Sequence, residues 1–271
     1  MNDTINNIFN RVSLRKFSEH KVSNDNRDLI IESALRVPTA GNQMLYSIIK
    51  VENIDTLEKL NHSCDEQPFI KKASFALVFL VDYQKLYNYL GESNFLSYCA
   101  EQVLNPEYPD LSDLLLGSED AIAAAQNAVI AAESLGVGSC YIGHIIENYE
   151  FHKELFNLEK LSFPLGMLVF GNYPENYHPS ITSRFDQKYV VFNEKYHKLS
   201  REELLDMYKE NEKRFNPNNK LGAKNSAQMI YGRKFGSEFS IEMRRSVKLA
   251  FKEWLSYSEN ILKVSKKSKN K

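Results

Sequence analysis

Two segments of the chain are apolar with almost no interruption: Ser74-Phe-Ala-Leu-Val-Phe-Leu-Val81, and Phe163 to Gly171. Runs of that kind predict strands covered on both faces rather than strands with a wet side. Ser47 to Glu52 predicts a third strand, and Gly136-Val-Gly-Ser-Cys-Tyr-Ile-Gly143 a short strand ending in a turn. Helical patterning is clearest from Glu119 to Leu135. Alanine recurs so densely there that other backbone must pack close against the helix, and Gly136 supplies its stop. Ser23 reads as the N-cap of a helix from Asn24 to Arg36, with Leu29, Ile30, Ser33, Ala34 and Val37 on one stripe. Asp55 to Leu60 predicts a short helix, and Tyr83 to Leu116 an aromatic, partly helical stretch broken at Asn105-Pro106-Glu107-Tyr108-Pro109.

Toward the end, Ser200-x-x-Glu203 is a capping box that opens a helix to about Arg214. A polar stretch from Asn216 to Ser237 separates it from a last helix, Ser240 to Tyr257, striped by Met243, Val247, Ala250, Phe251, Trp254 and Leu255. The lysine-rich end, residues 263–271, reads as a solvated, disordered tail. Strands and helices mix without a regular βαβ alternation, and no Gly-x-Gly-x-x-Gly follows a strand. A nicotinamide-binding Rossmann half is therefore not expected.

Composition narrows the function. The 271 residues are 43% hydrophobic and 25% charged, with a net charge of −1. That balance offers no field to attract nucleic acid or an anionic membrane surface. No apolar run approaches the roughly 20 residues of a membrane span, and Met1-Asn2-Asp3-Thr4 has neither the basic nor the apolar region of a signal peptide. Cys64, Cys99 and Cys140 are too few and too odd in number for a disulfide framework, which fits a reducing cytoplasm. His62-Ser63-Cys64-Asp65-Glu66 gathers possible ligands, but the spacing matches no common zinc pattern; no metal site is expected.

The candidate chemistry lies in segments far apart in sequence. Arg11-Val-Ser-Leu-Arg-Lys-Phe17 places two guanidinium groups and a hydroxyl within five residues. Pro38-Thr-Ala-Gly-Asn-Gln43 is a tight turn with small side chains and amide donors. Together they suit a ligand with a phosphate at one end and a flat polar heteroaromatic ring at the other, read here as FMN. Arg11 and Ser13 are the first candidates for the phosphate, since guanidinium forks bind phosphate oxygens directionally, and Arg184 is a second. Arg15 can place positive charge at the polar ring edge, and Asn42 can both donate and accept there. Tyr141-Ile142-Gly143 can bring a backbone N–H beside flavin N5, where glycine allows close approach. No catalytic side chain is named.

Taken in order, these segments resemble the FMN-dependent nitroreductase family, oxygen-insensitive type. Arg11-x-Ser13-x-Arg15-x-Phe17 is similar to its N-terminal flavin motif, and Pro38 to Gln43 to its Pro-Ser-x-x-Asn-x-Gln turn. Ala125 through Gly138, ending in Tyr141-Ile142-Gly143, is similar to its central helix and N5 loop, and Phe170-Gly-Asn-Tyr-Pro174 to the strand end that follows. The second motif position is Val12 where the family usually has a basic residue or His, and Thr182 stands where a lysine often precedes the late arginine.

The resemblance implies an α+β fold with a mostly antiparallel sheet and an intertwined homodimer. One domain is expected over residues 1–262, with a flavin-binding core at about 8–185 and an extension over 186–262 like that of the larger, flavin reductase-like branch. FMN would lie between subunits, with Pro38, Thr39, Ala40 and Asn42 reaching the partner's flavin and Gln67 adding an amide. The implied activity is ping-pong transfer from NAD(P)H, with NADPH as the expected reductant, to a nitroaromatic, quinone or free flavin. A flavin-binding protein without turnover, and a dehalogenase or flavin-destructase branch, are the alternatives.

Overall fold

The computed structural model describes residues 1–268, with side chains through Tyr257, so the end of the expected tail lies outside the described residues. The chain forms two compact units, Met1–Pro179 with Glu242–Lys271, and Ser180–Ile241.

In the first unit the elements run α1 (Asp3–Asn10), α2 (Asn24–Leu35), β1 (Tyr46–Val51), α3 (Ile54–Ser63), β2 (Phe75–Asp82), α4 (Gln84–Glu92), α5 (Phe95–Glu101), α6 (Leu111–Ser134), β3 (Val137–Ile142), α7 (Tyr149–Leu155) and β4 (Ser162–Asn172). The strands form one antiparallel sheet in the order β1-β2-β4-β3. The fold is thus α+β, with helices on both faces of the sheet. Every residue of β2 is buried, as its unbroken apolar run requires. Its register to β4 shifts between Phe79 and Leu80, opposite Gly166 and Pro164. An irregularity there accommodates a proline that cannot donate to the ladder.

The alanine-rich helix α6 lies on one sheet face. Ala121, Ala124, Ala125, Ala128 and Ala132 are buried against Phe75, Leu77, Phe79, Leu168 and Phe170, and the rings of Phe75 and Phe170 stack at 4.7 Å. On the other face α3 contributes Leu57 and Leu60 to a second core with Val78, Cys140, Ile142, Met167 and Val169. The helix α6 starts at Leu111, eight residues before its expected start. Asp110 caps it, with a reciprocal bond from its own N–H to Asp113. Gly117 is required inside the helix: a Cβ would sit 2.7 Å from Val81 Cγ1 and 3.1 Å from the Leu45 carbonyl oxygen.

The helix α7 is absent from the sequence expectations. It is anchored by burial of His152, whose Nε2 lies 2.8 Å from Ser63 Oγ on α3. Burial lowers the imidazole pKa to about 4.

In the second unit the capping box at Ser200 and Glu203 forms as expected, but the helix it opens breaks at Tyr208 into α8 (Arg201–Met207) and α9 (Lys209–Lys213). The polar stretch also contains a helix, α10 (Ser226–Lys234), capped by Asn225. The last helix, α11 (Glu238–Ser268), is longer than its apolar stripe. Within the first unit it is fixed by Trp254, which is 1% exposed and donates to the Asp110 carbonyl, and by a two-pronged Arg245–Glu150 pair at 2.7 and 2.8 Å. Among the described residues no helix is long and apolar enough to cross a membrane.

Two stability predictions follow from this packing. Gly138 and Gly171 sit opposite each other on β3 and β4, and Cβ atoms there would lie 2.3 Å from Leu14 and 2.5 Å from Phe17. Gly138→Ala and Gly171→Ala should each cost about 1–3 kcal/mol by overpacking, whereas Gly143→Ala, whose Cβ would meet nothing within 4 Å, should leave the urea midpoint in place. For His152 the folded pKa is below the unfolded one, so the unfolded state binds more protons as pH falls. Stability should therefore be full above about pH 6.5 and decline toward pH 4, by up to about 3 kcal/mol from this residue. Urea titrations across that range should show the decline shrinking in His152→Gln.

Candidate functional site

The segment after α1 is laid across the end of the sheet. Arg11 caps α1, its N–H bonding to the Asn7 carbonyl at 3.0 Å. Ser13 then forms a parallel bridge with Ser139 of β3, and the Leu14 N–H donates to the Ser139 carbonyl at 2.9 Å. Further on, the Ser18 N–H donates to the Asn172 carbonyl at 2.9 Å. Val12 and Leu14 are buried, so by the two-residue period of extended chain the intervening Arg11, Ser13 and Arg15 fall on the other side. Arg11 and Ser13 are half-buried there and Arg15 is exposed.

All three side chains act on one group, the Cys140 thiol. Burial raises the Cys140 thiol pKa, while Arg15, a hydrogen bond from Ser13 and Arg11 all act in the opposite direction. Partial burial pushes the Tyr141 phenol up to about 12, again opposed by Arg11. The strand ends at Ile142, which is 2% exposed, and the chain enters a 3-10 turn, Gly143–Ile146. Gly143 itself is exposed with open space beside it. Arg11, Ser13 and Arg15 therefore lie along β3 near Cys140 and Tyr141, on the strand that leads into the turn at Gly143.

Gln67 is close to the same elements. Its amide donates to the Cys64 carbonyl at 2.7 Å, and the Phe69 ring two residues on packs 6.5 Å from Phe17. The loop is tied to the chain beyond Gly143 by Asn148, which donates to the Ser63 carbonyl at 2.9 Å. The cluster around His62 is thus only partly a surface loop: Cys64 is fully buried, and burial pushes its thiol up to about 12. Among the described residues no group of His, Cys, Asp or Glu side chains is arranged to hold a metal ion.

The turn of Pro38, Thr39, Ala40 and Asn42 lies elsewhere. It is a 3-10 turn with left-handed backbone at Gly41 (φ 56°) and Asn42 (φ 57°), locked by the Ala40 N–H donating to Asp120 at 3.0 Å. The Met44 N–H also donates to Thr39 Oγ1 at 3.2 Å. Asp120 precedes Glu133 by thirteen residues on α6, which is about 20 Å along the helix. Glu133 marks the Arg11 end, because the chain enters β3 four residues later and Ser139 there bridges Ser13. A single chain therefore does not bring Asn42 to Arg11.

Arg184 belongs to the second unit, where its Nη1 donates to the Thr182 carbonyl at 2.7 Å. With Arg214, which donates to Ser183 at 3.3 Å, it lines a cleft of about 390 Å³. A larger, mainly apolar cleft of about 990 Å³ in this unit runs past Leu204, Leu205, Tyr208 and Ile230. Three further residues shape the site without having been singled out in the sequence: Asp120, Glu133 and Tyr173. An acidic residue facing inward on an alanine-rich helix was the available signal for the first two.

The donor set fits FMN chemically. Arg11, Ser13 and Arg15 offer cationic and hydroxyl donors on one side of an exposed glycine turn, and neither arginine is in an ion pair among the described residues. Ser139 Oγ beside them is buried with no protein partner.

Comparison with known proteins places this arrangement. The Nitroreductase family model matches residues 8–172. The NADPH-flavin oxidoreductase of Vibrio harveyi is 28% identical over 206 residues, 75% of this chain and 79% of that protein. The FMN reductase (NADPH) of Bacillus subtilis (strain 168) is 32% identical over 183 residues, 65% of this chain and 68% of that protein. The solved structure of B. megaterium NfrA2 superposes with a TM-score of 0.75 at 25% identity, covering 92% of this chain and 98% of that one. The chain belongs to the Nitroreductase family.

Proposed function

We propose that this protein is an FMN-dependent NAD(P)H oxidoreductase that reduces free flavin, quinones or nitroaromatics. The observation that carries the proposal is the alignment of Arg11, Ser13 and Arg15 along β3, the strand that leads into the turn at Gly143, in a chain whose relatives are named as flavin and FMN reductases. FMN, when bound, supplies a ring that accepts a hydride from NAD(P)H and hands electrons on to an acceptor.

The chain's own residues have binding and orienting roles. Arg11 and Ser13 hold the phosphate. Arg15 sets positive charge at the pyrimidine edge, which favours the electron-rich ring. The backbone at Ile142 and Gly143 takes the N5 side, where the absence of a side chain leaves the face open to flat molecules. Gln67 supplies an amide. No side-chain acid or base is assigned, since stacking of nicotinamide and acceptor in turn on one face provides proximity and orientation.

Pro38, Thr39, Ala40 and Asn42 complete the site from a second copy, which makes the working unit a homodimer. Their separation from Arg11 along α6 supports this. NADPH is the proposed reductant, in keeping with the relatives' names, and the proposed compartment is the cytoplasm, in keeping with three free cysteines.

Purified protein should be yellow, release FMN on denaturation, and elute near twice its 31.3 kDa chain mass; a colourless protein that takes up no added FMN would refute the proposal. Arg11→Ala should weaken FMN binding by about 10- to 100-fold, the range of one charge-assisted contact. Fluorescence quenching reads this directly. Gly143→Ala should lower turnover with menadione at unchanged stability, and kcat/KM should favour NADPH over NADH.

A further inference from the structure

The phosphate end of the proposed site contains a carboxylate that the mechanism does not use. Glu133 stands in the last turn of α6, just before the left-handed stop at Gly136 (φ 70°). The Tyr173 hydroxyl lies 3.1 Å from each of its two carboxylate oxygens and donates to it. Topology brings Arg11 to the same place. Four residues after Glu133 the chain enters β3, where Val137 pairs with Asn172, the neighbour of Tyr173. Two residues further on, Ser139 bridges Ser13. The charge of Arg11 accordingly acts on Glu133, Tyr173 and Tyr141 together. The parallel bridge sets Arg11 level with Val137, four residues after Glu133, yet Arg11 makes no ion pair within 4 Å among the described residues, so the guanidinium and this carboxylate share one end of the sheet without closing a salt bridge.

We infer that Glu133 is the resident counter-charge of Arg11: it competes with a bound phosphate for the guanidinium, so that loading of the phosphate is coupled to protonation of this carboxyl. The inference rests on the assignment of Arg11 to the FMN phosphate. A phosphate brought to Arg11 adds like charge beside Glu133. The carboxyl relieves that repulsion by taking up a proton, and it can do so because burial already favours its neutral form. The other groups around it do not titrate in the same range. Tyr173, with Tyr177 against it at 5.4 Å, is pushed well above its ordinary value by burial, Tyr141 is pushed up to about 12, and the Cys140 thiol is raised. Arg11 and Arg15 supply the positive charge. Tyr173 holds the carboxylate in place by its hydroxyl, so Glu133 is a positioning residue for Arg11 rather than a catalytic one.

The test compares FMN and riboflavin binding by fluorescence quenching in wild type and Glu133→Gln, from about pH 5 to about pH 8.5. The variant keeps an acceptor for Tyr173 and loses only the charge. At the alkaline end Glu133→Gln should bind FMN about fivefold more tightly than wild type, and the two affinities should converge as pH falls and the wild-type carboxyl protonates. The second ionisation of the FMN phosphate affects both proteins alike and cancels in the ratio. Riboflavin, which lacks the phosphate, should bind equally to both. Tyr173→Phe removes the donor from the carboxylate and should move the convergence to higher pH. Weaker FMN binding by Glu133→Gln, a ratio that does not change with pH, or an equal gain for riboflavin would overturn the inference. Wild-type protein that takes up neither flavin would instead overturn the proposed function. Inorganic pyrophosphate then serves as the probe: it should raise Tm more in Glu133→Gln than in wild type, and equal shifts would sink the counter-charge as well.

Discussion

The site depends on a flat place in the sheet. Gly138 and Gly171 face one another across β3 and β4, and the segment from Ser13 to Phe17 lies over them, Leu14 on the first and Phe17 on the second. Any side chain at either position would occupy space now filled by those residues. The close approach lets Ser13 sit opposite Ser139 in a parallel bridge, with the Leu14 N–H donating to the Ser139 carbonyl and the Ser18 N–H to the Asn172 carbonyl, so the segment is held at both ends by backbone. Arg11 and Arg15 are thereby presented beside Tyr141 and Gly143 by a rigid support rather than by a free N-terminal arm. Close packing makes this arrangement specific, because the interior has no spare volume into which Leu14 or Phe17 could retreat.

The helix α6 sets the distances. Its 24 residues span about 36 Å, and alanine and Gly117 on its inner side let it lie close on the sheet for much of that length. One part of it locks the Pro38 to Asn42 turn through Asp120, and its last turn carries Glu133 beside Arg11. A rigid rod cannot bring these two places together. The proposal that a second subunit completes the site is supported by this separation as well as by family likeness.

Electrostatics then separate roles among residues of similar type. Arg245 is bound by Glu150 and Glu242, and Arg27 by Asp28 and Glu52, so both are engaged in structure. Arg11 and Arg15 are left without such partners among the described residues, and the acid nearest Arg11 in effect is half withdrawn from water and bonded to Tyr173. Positive charge is thus available where a phosphate and an electron-rich ring would need it. The second unit repeats the pattern around Arg184 and Arg214, while Lys188 and Lys209 are taken up by Asp206.

Much of this was legible before the fold. The fully buried strands, the caps at Ser23 and Ser200, the alanine helix and the cationic motif follow from short-range pattern, because apolar runs and capping side chains act within a few residues. What was not legible acts over long range. The early start of α6 was hidden because Leu111 to Ser118 belongs to a stretch without a clear helical pattern, and the packing of Gly117 against Val81 is a long-range contact. The helix α7 was hidden because burial of His152 against Ser63 compensates for its weak local signal. The amino-acid order alone determined which groups are present and which strands must be covered, since side-chain chemistry and periodicity are local properties. Only the tertiary structure decided that Glu133 and Tyr173 stand at the Arg11 end of the sheet and that the turn of Asn42 is tied to α6 about 20 Å from Glu133, since sheet register and helix rigidity place residues that sequence separation leaves undetermined.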